Sequence, residues 1–136
     1  MQAIVRGSCL YGTYPELNHV EQELAELGAC NAMQPLKRQR FLQIMHAARA
    51  LDTTLHVVIK AAGGAPKHGI GKMLHQLPGL PPSTKGHLSS PVATSFVSSI
   101  CTSRNRYAHK AGAFPTSQQE ADSFVAEVHA CVALIL

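Results

Sequence analysis

The sequence predicts an all-α fold, an up-and-down helical bundle of about four main helices, and three observations predict it. Apolar residues recur at helical spacing along most of the chain. Helix-start and helix-stop signals bracket the periodic segments. No stretch shows the alternation of apolar and polar residues that is typical of a half-buried strand. The 136 residues are expected to form one domain, residues 1–136, because a chain of this length can bury a core of its own.

The first two helices are predicted before residue 65. Residues 13–16 have the pattern of a capping box, and the apolar stripe that follows it stops at Gly28. A longer helix begins near Pro35 and ends at residues 63–64, which are both glycine. Its apolar stripe is the strongest helical signal in the chain.

Residues 63–91 have a different composition and are predicted to form a long loop between the second and third helices. They hold six of the ten glycines and five of the eight prolines, although residues 72–77 fit one or two helical turns. Long loops in compact domains serve as lids, as binding loops or as disordered inserts. The sequence leaves these interpretations open.

Two further helices follow this loop. Ser90 is the predicted N-cap of a third long helix, with Pro91 at its first position and Gly112 near its end. Ser117 and Glu120 have the spacing of a second capping box, which starts the last helix.

Charge is distributed unevenly along the chain. Charged residues make up only 15% of the sequence, below the roughly 25% of ordinary soluble domains, which favours a surface partly covered by a partner. Residues 53–119 hold seven Lys and Arg and no Asp or Glu, whereas the two ends are acidic. This acid-free block predicts either contact with a polyanion or neutralisation by acidic helices that fold back over it.

Several classes of protein are disfavoured by what the sequence lacks. No apolar run approaches the ~18–20 residues of a membrane span, and the first twenty residues do not resemble a signal peptide. The four cysteines are far apart and form no C-x-x-C pair, so no zinc or redox motif is visible and free thiols are expected. We therefore expect a cytoplasmic protein with no membrane contact, metal or cofactor.

Residues 104–109, Arg-Asn-Arg-Tyr-Ala-His, carry the candidate chemistry. On a helix, Asn105 and His109 share one face, and Arg104 lies about 100° from Asn105. Arginine presents a permanently charged fork to phosphate oxygens, and histidine transfers protons near neutral pH. Together they suit metal-free cleavage of RNA, in which the ribose 2′-hydroxyl attacks the phosphate. The alternative is a surface charge and a histidine that caps the end of a helix.

The C-terminal part of the chain resembles the HEPN family (higher eukaryotes and prokaryotes nucleotide-binding). The resemblance is carried by Arg104, Asn105, Ala108 and His109, by the Gly/Pro turn that follows them and by the capped last helix. The family motif is Arg-x4–6-His, and the resemblance covers about residues 92–136. It implies a helical bundle that forms a homodimer, with two motifs facing each other across a two-fold axis. It also implies metal-independent endoribonuclease activity, often in toxin–antitoxin or anti-phage systems. By position, Arg104 and His109 are the active pair and Asn105 is the supporting polar residue.

The chain departs from the family pattern at one position, and further candidate RNA-binding residues lie in or next to the motif. Some family toxins carry a tyrosine two positions after the histidine, which an antitoxin modifies; Ala111 stands there in this chain, so that control mechanism is not expected. Three further residues are predicted to bind RNA: Arg106 and Tyr107 within the motif, and Lys110 directly after it. Arg106 and Lys110 form a like-charged i, i+4 pair, which contact with an RNA backbone would explain.

The sequence thus predicts an endoribonuclease with RNA as substrate and an antitoxin or defence protein as a candidate partner. One alternative is a non-catalytic HEPN module that binds nucleotide or RNA or acts as a dimerisation platform. Another is a structural bundle in which Arg104 and His109 serve stability. On the second helix, Arg49 and Asp52 are predicted either as a buried network that supports the site or as a partly exposed ion pair.

Overall fold

A computed structural model describes residues 1–109 and 112–136, with the backbone alone at His109. The described residues contain no strand, and 71% of the structure is helical, which confirms the all-α prediction. A π-helical turn spans Val97–Cys101, and 3₁₀ turns lie at Cys30–Ala32 and Leu77–Gly79. The α-helices in chain order are α1 (Gln2–Gly7), α2 (Glu16–Ala29), α3 (Leu36–Ala61), α4 (Ile70–Leu74), α5 (Ser90–Phe96), α6 (Thr102–His109) and α7 (Gln118–Ile135).

The long helix α3 is the centre of the fold. It packs mainly against α2 and α7, and it also contacts α4 and α6. Leu17 and Val20 of α2 and Phe124 and Val128 of α7 are buried in the resulting core. None of the helices in the described part of the chain is both long and apolar enough to cross a membrane.

The predicted long helices are present, but their starts differ in detail. Pro15 is the N-cap of α2 and no side chain caps this helix, so the capping box predicted at Thr13 is wrong. The third helix begins one residue earlier than predicted, at Ser90 with Ser89 as its N-cap. It runs through α5, the π turn and α6 to His109. The short helix α1 has no predicted counterpart, and the predicted number of about four main helices is not confirmed.

Residues 63–91 form part of the core, and the interpretation as a disordered insert is wrong. Helix α4 and the 3₁₀ turn Leu77–Gly79 lie within this segment. The segment is held in place because its apolar side chains replace contact with water by contact with the core. The buried ones are Ile70, Met73, Leu74, Leu77, Leu80 and Leu88.

Gly86 shows how closely the segment 63–91 lies on the central helix. It is buried and has a φ of +88°, and a Cβ added there would lie 1.9 Å from Cγ1 of Val58 in α3. Only a glycine combines this backbone conformation with so close an approach.

We predict that Gly86→Ala lowers the free energy of unfolding by about 2–4 kcal/mol, because the new methyl group overlaps Val58 and the backbone is strained. Urea denaturation followed by circular dichroism measures the change. Gly79→Ala is the matched control, since it lies in the same segment with open space around the added Cβ and no positive φ. Equal stability of Gly86→Ala and the unaltered protein would contradict this close packing.

Candidate functional site

A cavity of about 560 Å³ lies between α3, residues 68–72 and the start of α6. Arg104 and Asn105 of the predicted motif line it, together with Cys101 of the π turn. Arg104 is half-buried and Asn105 is exposed at the cavity rim. The structure therefore brings two of the three predicted catalytic residues to one cavity.

The π turn Val97–Cys101 positions these residues. A π turn holds one more residue than an α-helical turn, so it rotates α6 relative to α5 and sets which of its residues face α3 and α4. Helix α4 packs on this turn at Gly71, where an added Cβ would lie 3.3 Å from Sγ of Cys101. On the opposite side, Oγ of Ser99 donates to the Glu127 carboxylate of α7 at 3.0 Å.

The guanidinium of Arg104 is oriented by its neighbour. Its Nη1 donates a hydrogen bond to Oδ1 of Asn105 over 3.2 Å. Burial raises the pKa of the Cys101 thiol, and the positive charge of Arg104 acts in the opposite direction.

The cavity wall carries more positive than negative charge. Arg49 of α3, Lys72 of α4 and Arg104 of α6 line it, against the single carboxylate of Asp52. Arg49 forms an ion pair with Glu23 of α2 at 2.8 Å, and His46 contacts the other oxygen of the same carboxylate. Both interpretations of an Arg49–Asp52 pair are therefore wrong, since Glu23 takes the place of Asp52.

Tyr107 is not available to RNA, which corrects its prediction as an RNA contact. Its side chain belongs to the hydrophobic core and the residue is 5% exposed. Its hydroxyl donates a hydrogen bond to Glu120 of α7. A ring enclosed in this way cannot stack on a base, so Tyr107 has a structural role.

Glu120 joins the motif helix to α7. Its carboxylate accepts hydrogen bonds from the Tyr107 hydroxyl and, at 2.8 Å, from the backbone N–H of Thr116. It also forms an ion pair with Arg106 at 3.7 Å. The Ser117 hydroxyl caps α7 by accepting the Glu120 N–H, as the sequence predicts. The reciprocal bond of the box goes to Thr116 instead of Ser117.

The roles predicted for Arg106, His109 and Lys110 stay predictions. Arg106 keeps 62% of its side chain exposed while paired with Glu120, so its role as an RNA contact is still a prediction. His109 is the last residue of α6, and its side chain lies outside the described part of the structure. Lys110 also lies outside the described residues.

The sequence interpretation missed three residues of the cavity: His56, His68 and Lys72. A signal existed for His56, since it lies four residues after Asp52 and so shares a face of α3 with it. No local pattern indicates that His68 and Lys72 reach the same space, because this depends on how the segment 63–91 folds back. Within residues 1–109 and 112–136, no three His, Cys, Asp or Glu side chains are grouped so as to hold a metal ion.

A second cavity, of about 690 Å³, lies between α1, α2, α3 and α7, and none of residues 104–107 lines it. An amide network borders it: Gln118 donates to Gln43 at 3.0 Å, and Gln43 donates to Asn31 at 2.8 Å. Because Gln43 is buried and both ends of its amide are bonded, this network stabilises the packing of α3 against α7.

No protein-family model, curated protein or solved structure matches this chain.

Tyr107→Phe should lower the free energy of unfolding by about 1 kcal/mol, because it removes one hydrogen bond and keeps the ring packed. Urea denaturation measures this change, and RNA binding should not change. Tyr14→Phe is the control, since Tyr14 is half-buried and its hydroxyl bonds to nothing in the described part of the chain. Loss of RNA binding at unchanged stability would restore Tyr107 as an RNA contact.

Proposed function

We propose that this protein is a metal-independent endoribonuclease that cleaves RNA through attack of a ribose 2′-hydroxyl on the adjacent phosphodiester. The observation that carries the proposal is the cavity in which Arg104 and Asn105 of the Arg-x4-His motif meet two further cations, Arg49 and Lys72. Cations from three helices around one cavity favour an anionic ligand. The motif supplies the groups that a phosphodiester cleavage needs without a metal ion.

Arg104 is the group proposed to hold the phosphate. Its planar fork matches two phosphate oxygens and stabilises the charge that develops on phosphorus. Before substrate binds, its Nη1 donates a hydrogen bond to Oδ1 of Asn105. His109 is proposed to transfer protons, as imidazole does near neutral pH. The 2′-hydroxyl requirement restricts the reaction to RNA.

The wider setting follows from the family resemblance. We propose an up-and-down arrangement of the long helices, and a homodimer in which two motifs share one cleft across the two-fold axis. The low charged fraction of 15% supports a surface partly covered by a partner. We further propose that the protein acts in the cytoplasm, in a toxin–antitoxin or anti-phage system, with an antitoxin or defence protein as partner.

The test is cleavage of mixed RNA by the purified protein in EDTA. Arg104→Ala and His109→Ala should each reduce the rate by a factor of about 10² or more, because each removes a group that acts in the transition state. The products should end in 2′,3′-cyclic phosphate and 5′-hydroxyl groups. Arg38→Ala is the matched control, since Arg38 is exposed and lines neither cavity.

Undiminished cleavage by both motif variants would contradict the proposal. Salt-dependent RNA binding without cleavage by the unaltered protein would favour the non-catalytic HEPN module instead. If Arg104→Ala has a lower melting temperature and neither this variant nor the unaltered protein binds RNA, the result would favour a purely structural role of Arg104 and His109.

A further inference from the structure

Helix α3 presents an imidazole to the cavity that Arg104 lines. His56 is half-buried in the cavity wall, across from the motif helix α6. Within residues 1–109 and 112–136, no hydrogen bond or ion pair holds its ring. His46, by contrast, lies on the same helix and is bound to Glu23. A histidine that lines a polar cavity without such a bond is available to a ligand there.

The other groups that face His56 define its surroundings. From α3 itself, Asp52 lies one turn earlier and Arg49 two turns earlier, and the charge of Arg49 is offset by Glu23. From the opposite walls come Lys72 of α4 and Arg104 of α6, with His68 from the turn before α4. Asp52 is thus the only carboxylate among the residues that line the cavity with His56.

Asp52 suits His56 to the role of a proton donor. Residues four apart on a helix are neighbours, so the Asp52 carboxylate can accept an N–H of the charged imidazole. No such bond is formed between these two described side chains, so Asp52 is a neighbour that can orient the ring once the imidazole carries a proton. His68 also lines the cavity, but it is exposed and precedes Gly69 in a turn, whereas His56 lies on α3, a long helix with twelve buried residues. Rigid elements hold catalytic groups more precisely than turns do.

Cleavage of RNA by its own 2′-hydroxyl requires two proton transfers. One imidazole takes the proton of the 2′-hydroxyl as the new 2′-oxygen–phosphorus bond forms. A second group gives a proton to the 5′-oxygen as the bond between phosphorus and that oxygen breaks, which leaves a 2′,3′-cyclic phosphate and a 5′-hydroxyl. The Arg-x4-His motif of each chain contains one imidazole, so a reaction carried out by the residues of one chain needs a second proton-transfer group from outside the motif.

We propose that His56 is the general acid of this reaction, which protonates the 5′-oxygen leaving group, while His109 accepts the proton of the 2′-hydroxyl. The inference rests on the proposed ribonuclease function. It assigns both proton transfers to one chain, with Asp52 as the positioning residue for the acid.

Two substrates that differ only in the leaving group test this assignment. A uridyl dinucleotide leaves with a 5′-oxygen that needs a proton, whereas uridine 3′-(p-nitrophenyl phosphate) releases a nitrophenolate that needs none. His56→Ala should lose a factor of about 10² or more on the dinucleotide and keep the full rate on the nitrophenyl ester. His109→Ala should lose activity on both substrates. His56→Gln, which keeps a polar side chain, should show the same split as His56→Ala.

The matched control is His75→Ala, because His75 is exposed and does not line the cavity. It should cleave both substrates at the rate of the unaltered protein. Thermal unfolding of each variant checks that the fold is kept. The inference is overturned if both folded His56 variants retain dinucleotide cleavage, or if they lose both substrates equally. Failure of the unaltered protein on both substrates would instead contradict the ribonuclease function itself.

Discussion

The position of α3 is the constraint on which the rest of the structure depends. Its apolar faces are covered by α2 and α7, and α4 and α6 pack against it as well. Arg49, which pairs with Glu23, forms a polar stripe along α3 together with Asp52 and His56. Apolar packing over this stripe is unfavourable, because polar groups that lose contact with water need other partners. The helices around α3 therefore leave a gap over this stripe. The cavity with Arg104 in its wall is that gap, and its polarity follows from the sequence of α3.

The helix that carries the motif depends on its attachments. Eight residues form too short a helix to be stable in isolation, and α6 is polar over most of its length. At its start, the π turn is packed against α4 and tied to α7 through Ser99 and Glu127. Further along, Tyr107 is inserted into the core and bonded to Glu120. Arg104 lies between these two attachments, so its orientation toward the cavity is fixed by residues that take no part in the proposed chemistry.

The sequence predicts best what depends on local spacing. The bounds of α3 and α7 follow from apolar periodicity and from the Ser117 cap, and the structure agrees with both. The burial of Tyr107 could also be predicted from the sequence. Tyr107 follows Ile100 by two helical turns, so both side chains lie on the core-facing side of the helix. The π turn, and the return of residues 68–72 to the face of α3, depend on tertiary packing that leaves no periodic signal. For that reason the sequence locates the motif, but it does not indicate that α3 and residues 68–72 form a cavity with it.

The acid-free block at residues 53–119 shows how packing refines a charge pattern. Acidic helices do fold back over it in part, since Glu16 pairs with Lys60 at 3.4 Å and Glu120 pairs with Arg106 at 3.7 Å. This neutralisation is confined to the ends of the block. Lys67, Lys72 and Lys85 are exposed, and no ion pair within residues 1–109 and 112–136 involves them. The positive charge that is left therefore includes Lys72 at the cavity. If the proposed RNA substrate is correct, this positive charge would raise the local concentration of RNA beside the cavity that Arg104 lines.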